Sequence, residues 1–198
     1  MYFDPHSKIE ITERQLPHWR QKNVTYFVTF RLADSIPQAK LRLWKLKRDE
    51  FLETHPHPLS DRDKAEFYQR FTKEMGALLD DGMGACIFRN KNTSEILASA
   101  LMHFDGIRYE LGNWVIMPNH VHVIVQPLPG YDLKEILQSW KSYSAKEINK
   151  RLGRTGRLWQ DESYDQIVRN ERHLYRIESY IKTNPEKADV KVHHASWL

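Results

Sequence analysis

A single cysteine, Cys86, occurs among the 198 residues, so no disulfide can form within the chain. Its neighbours in Ala-Cys-Ile-Phe are apolar, and the thiol is expected to sit as a small buried hydrophobe. No stretch approaches the roughly 18 consecutive apolar residues that a membrane-spanning helix needs. The opening Met-Tyr-Phe-Asp-Pro-His has neither the basic region nor the apolar run of a secretory signal, so the expected location is the cytoplasm. Internal repeats and low-complexity tracts are also missing, which argues against a solenoid or a disordered chain.

What is present is the make-up of a globular domain, with 40% hydrophobic and 12% aromatic residues. The length suits one domain carrying an insertion. A net charge of +4 permits a polyanionic partner without requiring one. The basic residues gather in two places. One is Lys40-Leu-Arg-Leu-Trp-Lys-Leu-Lys-Arg48. The other comprises Lys141, Lys146, Lys150, Arg151, Arg154 and Arg157. Each reads either as a solvated helix face or as a contact for an anion.

Val24 to Leu32 is rich in β-branched and aromatic residues and reads as a buried strand. Pro37 suits the first turn of a helix over about Ala39 to Glu53, and His55-Pro-His-Pro-Leu-Ser60 breaks the pattern. Phe67, Phe71, Met75 and Leu78, at steps of three and four, predict a helix from Asp61 to Leu79. Asn92-Thr-Ser-Glu95 reads as a capping box opening a third helix to Phe104. Two strands follow, Ile107–Val115 and Asn119–Gln126. Then come a helix from Leu133 to Leu152 capped by Asp132, a basic loop over 153–157, and a short strand over Tyr164–Val168. A final helix from Glu171 to about Asn184 is capped by Asn170 and stopped by Pro185. This order predicts an α+β fold, an antiparallel sheet packed with helices. The whole chain, 1–198, then forms one domain, with a helical insertion over about 40–104 in the first crossover and a core over about 24–34 and 107–188.

The run His-Val-His-Val-Ile-Val must be a strand, so His120 and His122 project from one face while Val121 and Val123 pack behind. Two imidazoles so placed form a platform for a divalent metal, or else a pair of hydrogen-bonded histidines on a sheet. On the last helix, Tyr180 and Asn184 stand at i and i+4 and share a face. An Asn oxygen can complete a hard-cation site, with the tyrosine one turn away. The alternatives are a packing tyrosine and a polar residue at a helix end.

Four blocks stand in order: Trp114-Val-Ile-Met-Pro-Asn-His120-Val-His122, Trp159-Gln160, Glu162-Ser-Tyr-Asp-Gln-Ile-Val-Arg169, and Tyr180-Ile-Lys-Thr-Asn-Pro185. Together they resemble the REP-associated tyrosine transposases, a branch of the single-tyrosine HUH transposases, over most of residues 107–188. The strand at Val24–Leu32 fits that family's first strand. The resemblance implies a ferredoxin-like (RRM-like) HUH nuclease core, with His120 and His122 as metal ligands, Asn184 as the helix-borne third ligand and Tyr180 as nucleophile. The chain departs from the pattern at Gln166, where relatives commonly have His. Its ending at Thr183–Asp189 is more polar than usual, and the segment from about Lys40 to Phe104 is longer.

The implied activity is metal-dependent cleavage and rejoining of single-stranded DNA through a 5′-phosphotyrosine, on strands bearing REP-like palindromic hairpins. Mg2+ is the expected ion and Mn2+ a substitute. Lys141, Lys146, Lys150, Arg151, Arg154, Arg157 and the N-terminal segment are candidate DNA contacts. Trp159 and Tyr164 are candidates to stack unpaired bases, although a tryptophan at 159 is more often a core residue. The expected state is a monomer or homodimer. Three other readings stay open: a domesticated hairpin-binding protein without productive transposition, a replication-initiator or relaxase type of HUH nicking enzyme, and a metal-dependent hydrolase that uses water.

Overall fold

The computed structural model of the chain describes residues 1–8, 10–13, 17–55 and 59–197. The break expected over His55–Ser60 therefore falls in part, at 56–58, outside the described residues. The chain divides into two compact units, one of residues 1–33 and 87–198 and one of residues 34–86.

The first unit opens with a hairpin that the sequence reading did not anticipate, β1 (Glu10–Glu13) paired antiparallel with β2 (Pro17–Arg20). Arg20 at its end donates to the buried Asp165 carboxylate, Nη2 to Oδ1 at 3.1 Å. Then comes β3 (Tyr26–Arg31), buried along its full length.

The second unit holds α1 (Gln38–Thr54), α2 (Asp61–Phe67) and α3 (Lys73–Asp80), with a π-helical turn at Tyr68–Thr72 between the last two. Trp44, Phe51, Phe67 and Phe71 form its aromatic core, with ring centroids 4.9 to 5.9 Å apart. Cys86 ends the unit, buried as expected, with Sγ 3.0 Å from Gly82 O.

The first unit resumes with a 3-10 turn at Ile87–Arg89 and α4 (Lys91–Met102). The sequence reading counted this helix with the insertion. Instead Leu97, Ala98 and Leu101 are buried in the first unit's core. The capping box expected at Asn92–Glu95 does not form either. Asn90 is the cap, accepting from Asn92 N at 2.9 Å, while the Thr93 hydroxyl donates to Ile87 O and Asn90 O.

The strands β4 (Tyr109–Ile116) and β5 (His120–Pro127) form the central hairpin, followed by α5 (Leu133–Leu152), β6 (Tyr164–Ile167) and α6 (Glu171–Lys187). The four-stranded sheet has the order β4-β5-β3-β6 with every pair antiparallel. First and third strands of the βαββαβ sequence are thus central, as in a ferredoxin-like sheet. A left-handed residue, Gly153 at φ 61°, closes α5 by donating to the Asn149 and Lys150 carbonyls, as its lack of a Cβ allows.

Period-two alternation gives the sheet two faces. Val28, Phe30, Val121, Val123 and Val125 enter one core with Ile136, Trp140 and Ile148 of α5 and Leu97 and Leu101 of α4. Phe27, Val115 and Ile124 face the other side, where Ile177 and Ile181 of α6 cover them. The helix does not stop at Pro185, as expected, but runs to Lys187. Proline removes a single donor close to the helix end, and Pro185 is buried.

Candidate active site

The second face carries polar groups among its apolar ones. His120 and His122 point there from β5, and the pairing sets Arg31 of β3 opposite His120 and Thr29 opposite His122. Both imidazoles are nearly inaccessible, at 1% and 2% exposure. Their Nε2 atoms stand 3.0 Å apart. Two donors bound to one octahedral cation at about 2.1 Å and at right angles would stand about 3.0 Å apart, so the spacing suits a shared ion.

The other ring nitrogens are anchored. His120 Nδ1 lies 2.7 Å from Asn119 Oδ1, and His122 Nδ1 lies 2.8 Å from Thr29 Oγ1. Phe27 stacks on His122 with centroids 5.6 Å apart and planes inclined by 23°. Burial keeps both imidazoles neutral. It drives His120 well below the ordinary histidine value, with the charges of His122 and Arg31 adding to the shift. His122 is pushed down to about 3 by burial. Neutral imidazole is the ligating form.

The helix α6 brings Tyr180 to this face and carries Asn184 one turn further on. Ile177 and Ile181 seat it on the sheet, which turns Tyr180 toward His122. The Tyr180 hydroxyl lies 3.3 Å from His122 Nε2. Its ring meets those of His122 and Phe27 edge-on, at 5.1 and 6.1 Å. One turn further, Asn184 is 1% exposed, and its Oδ1 has no hydrogen-bond partner. A buried carbonyl oxygen left unpaired costs about 1–3 kcal/mol, and a hard cation is the kind of group that would relieve it.

Among the described residues no three His, Cys, Asp or Glu side chains gather where they could hold a metal. If the two histidines held an ion, Asn184 has the kind of oxygen that could serve as a third protein ligand. The set His120, His122 and Asn184 is uncharged, so a bound divalent ion would keep its full charge for an anionic substrate.

Thr29, Asn119 and Phe27 were missed by the sequence reading. Asn119 directly precedes His120 and could have been noticed. Thr29 and Phe27 meet His122 only through strand register, which no local pattern gives.

The description "Transposase IS200 like" belongs to a family model that matches residues 86–184, half of the chain. The chain belongs to the IS200-like transposase family. No curated protein matches it. Among solved structures, a REP-associated tyrosine transposase bound to a REP hairpin is 15% identical, over 87% of this chain and 74% of its own, with a TM-score of 0.42. A protein of Deinococcus radiodurans R1 assigned as a transposase is 16% identical, over 83% of this chain and 93% of its own, with a TM-score of 0.38.

In this IS200-like transposase the basic residues singled out from the sequence divide into groups. Lys146, Lys150, Arg151 and Arg154 are exposed on the end of α5 and the loop after it. Arg157 is exposed as well but pairs with Asp161. Lys141 is committed to the fold. Its Nζ donates to Gln160 O at 3.0 Å and Asp161 O at 3.1 Å, and burial, with help from Arg157 and Arg31, lowers its pKa to about 8.

Trp159 is a correction. It is 5% exposed, packs against Phe30 and Phe88, and donates from Nε1 to Ser144 Oγ at 3.0 Å. A residue so enclosed cannot stack a DNA base. Tyr164 is half-buried on the site face of β6, its hydroxyl 3.0 Å from Gln166 Oε1, and Gln166 in turn reaches His173 of α6 at 3.3 Å. Of the N-terminal segment, residues 9 and 14–16 lie outside the described ones. Phe3 N in the remainder donates to Val168 O at 3.0 Å. Among the described residues no helix is long and apolar enough to cross a membrane.

Proposed function

We propose that this IS200-like transposase cleaves and rejoins single-stranded DNA through Tyr180, using a divalent ion held by His120, His122 and Asn184. The observation that carries the reading is the position of one hydroxyl. Among the described side chains, Tyr180 is the tyrosine whose Oη stands beside the paired nitrogens, 3.3 Å from His122 Nε2, which is itself 3.0 Å from His120 Nε2.

A phenol is a weak nucleophile at neutral pH, and a divalent ion beside it, Mg2+ or Mn2+, supplies charge that polarises the scissile phosphate. Ile177 and Ile181 fix the approach of Tyr180, and Phe27 fixes the rings. Burial keeps the histidines from protonating. The Tyr180 Oη–phosphorus bond forms as the phosphorus–3′-oxygen bond breaks. The phenol gives up its proton and the departing 3′-oxygen gains one, leaving a 5′-phosphotyrosine and a free 3′-hydroxyl. One phosphoester replaces another, so a 3′-hydroxyl can reverse the step without a nucleotide cofactor. Enclosure of the site calls for an unstacked strand, and the substrate proposed is single-stranded DNA beside a hairpin, engaged by Lys146, Lys150, Arg151 and Arg154.

Incubation with hairpin-bearing single strands and Mn2+ tests the reading. A covalent adduct on the Tyr180 peptide by mass spectrometry, absent from Tyr180→Phe, is expected. An adduct on another tyrosine, or normal cleavage by the Phe variant, overturns it.

A further inference from the structure

The two histidines have different partners on the side away from the shared face, and the difference has a chemical consequence. Asn119 Oδ1 is only an acceptor, so the 2.7 Å contact with His120 Nδ1 requires a proton on that nitrogen. His120 Nε2 is then a bare lone pair. The Thr29 hydroxyl can donate or accept, so the 2.8 Å contact with His122 Nδ1 is satisfied by either neutral tautomer. The two Nε2 atoms, 3.0 Å apart, cannot both present lone pairs to each other without repulsion. With His120 fixed, the ion-free contact becomes a hydrogen bond only when His122 carries its proton on Nε2.

We propose that Asn119 and Thr29 are positioning residues that set the tautomers of the metal ligands. Asn119 holds His120 permanently as the Nδ1–H form, while Thr29 lets His122 exchange between two forms. This rests on the metal site proposed above. Without an ion, Thr29 donates to His122 Nδ1, and His122 Nε2–H donates to His120 Nε2. For ligation, His122 carries its proton on Nδ1 and donates it to Thr29 Oγ1, freeing Nε2. The imidazole is neutral in both forms, so no net proton is taken up or lost. Because every polar partner survives the exchange, neither state leaves a buried nitrogen of the pair unsatisfied. Phe27, stacked on His122, keeps the ring in one orientation while the proton changes sides.

Long-range 1H–15N NMR of histidine-labelled protein distinguishes protonated from bare ring nitrogens. Without metal, His120 should be Nδ1–H and His122 Nε2–H. With Mg2+, His120 should be unchanged and His122 should become Nδ1–H. Calorimetry with Mn2+ provides the second readout. Thr29→Val, which keeps the β-branched shape but no hydroxyl, should weaken Mn2+ binding by about 10–100-fold, with Thr29→Ser restoring it. Asn119→Leu should weaken binding by a similar factor.

A His120 found as Nε2–H in the metal-free protein overturns the Asn119 assignment. Mn2+ binding with an unchanged His122 pattern, or full affinity in Thr29→Val, overturns the exchange. If the wild type binds no Mn2+, the metal reading falls and the exchange with it, while the metal-free spectrum still decides the role of Asn119.

Discussion

Asn184 offers a test that separates stability from function. Its Oδ1 is buried without a partner, and in the metal-free protein that oxygen has given up water for nothing. The penalty for such a group is about 1–3 kcal/mol. Asn184→Leu keeps the approximate volume and removes the polar atom, so the metal-free variant should be more stable than the parent. A gain of about 2 kcal/mol would raise the melting temperature by roughly 4–8 °C in a chain of this size. With metal the order should reverse. The parent should gain about 2.7 kcal/mol at an ion concentration 100 times its Kd, and the Leu variant little. Asn184→Asp should show the opposite pattern, with a metal-free protein destabilised by a buried carboxylate and an ion bound more tightly. Thermal denaturation of the three proteins with EDTA and with Mn2+ reads all of this. A Leu variant less stable than the parent in EDTA, or one that keeps the full Mn2+-induced rise, would refute the reasoning.

Other outcomes follow from the same geometry. His122 has a folded pKa of about 3 against 6.5 for the free side chain. The unfolded state therefore binds more protons below pH 6.5, and stability should fall as pH drops from about 6.5 toward 3, by an amount on the order of 4 kcal/mol. Urea denaturation at pH 7, 5.5 and 4 should show this slope in the wild type and a shallower one in His122→Gln. Trp159→Ala should cost about 3–5 kcal/mol of stability through the lost core volume, while fluorescence anisotropy finds hairpin affinity unchanged in the folded fraction. Arg154→Ala should reduce the salt dependence of hairpin binding by about one unit of slope. Arg157→Ala should reduce it less, because Asp161 already neutralises part of its charge.

The strands β3 to β6 and the helices α4 to α6 of the first unit were legible because each carries one clear periodicity. The alternation in β3 and β5, and the spacing of Ile177 and Ile181 in α6, separate a core face from another face without reference to anything distant. The same alternation placed His120 and His122 together, and helical spacing placed Tyr180 with Asn184. What could not be read was pairing. Thr29 is an ordinary threonine in a strand until β3 lies beside β5 in one register, and a slip of one residue would turn it into the opposite core. The hairpin of β1 and β2 was missed for want of a strong alternating pattern. Trp159 was left between base stacking and the core role more usual for a tryptophan, and only the rings of Phe30 and Phe88 around it decide for the core.

The proposed site lies where one sheet face changes from apolar to polar within a few residues, as does the face of α6 packed against it. Ile177 and Ile181 are dry and hold the helix, Tyr180 meets His122, and Asn184 is buried, all four within two turns. The strands carry the same mixture: Phe27, Val115 and Ile124 cluster with the isoleucines, and His122 meets the Tyr180 hydroxyl. Buried polar groups on this scale destabilise unless each is satisfied. The histidines and Thr29 satisfy one another, and Asn119 satisfies His120. Asn184 Oδ1 is the exception among these groups. An unsatisfied oxygen in an otherwise matched cluster is stability given up at one position, and such losses concentrate where a ligand recovers them.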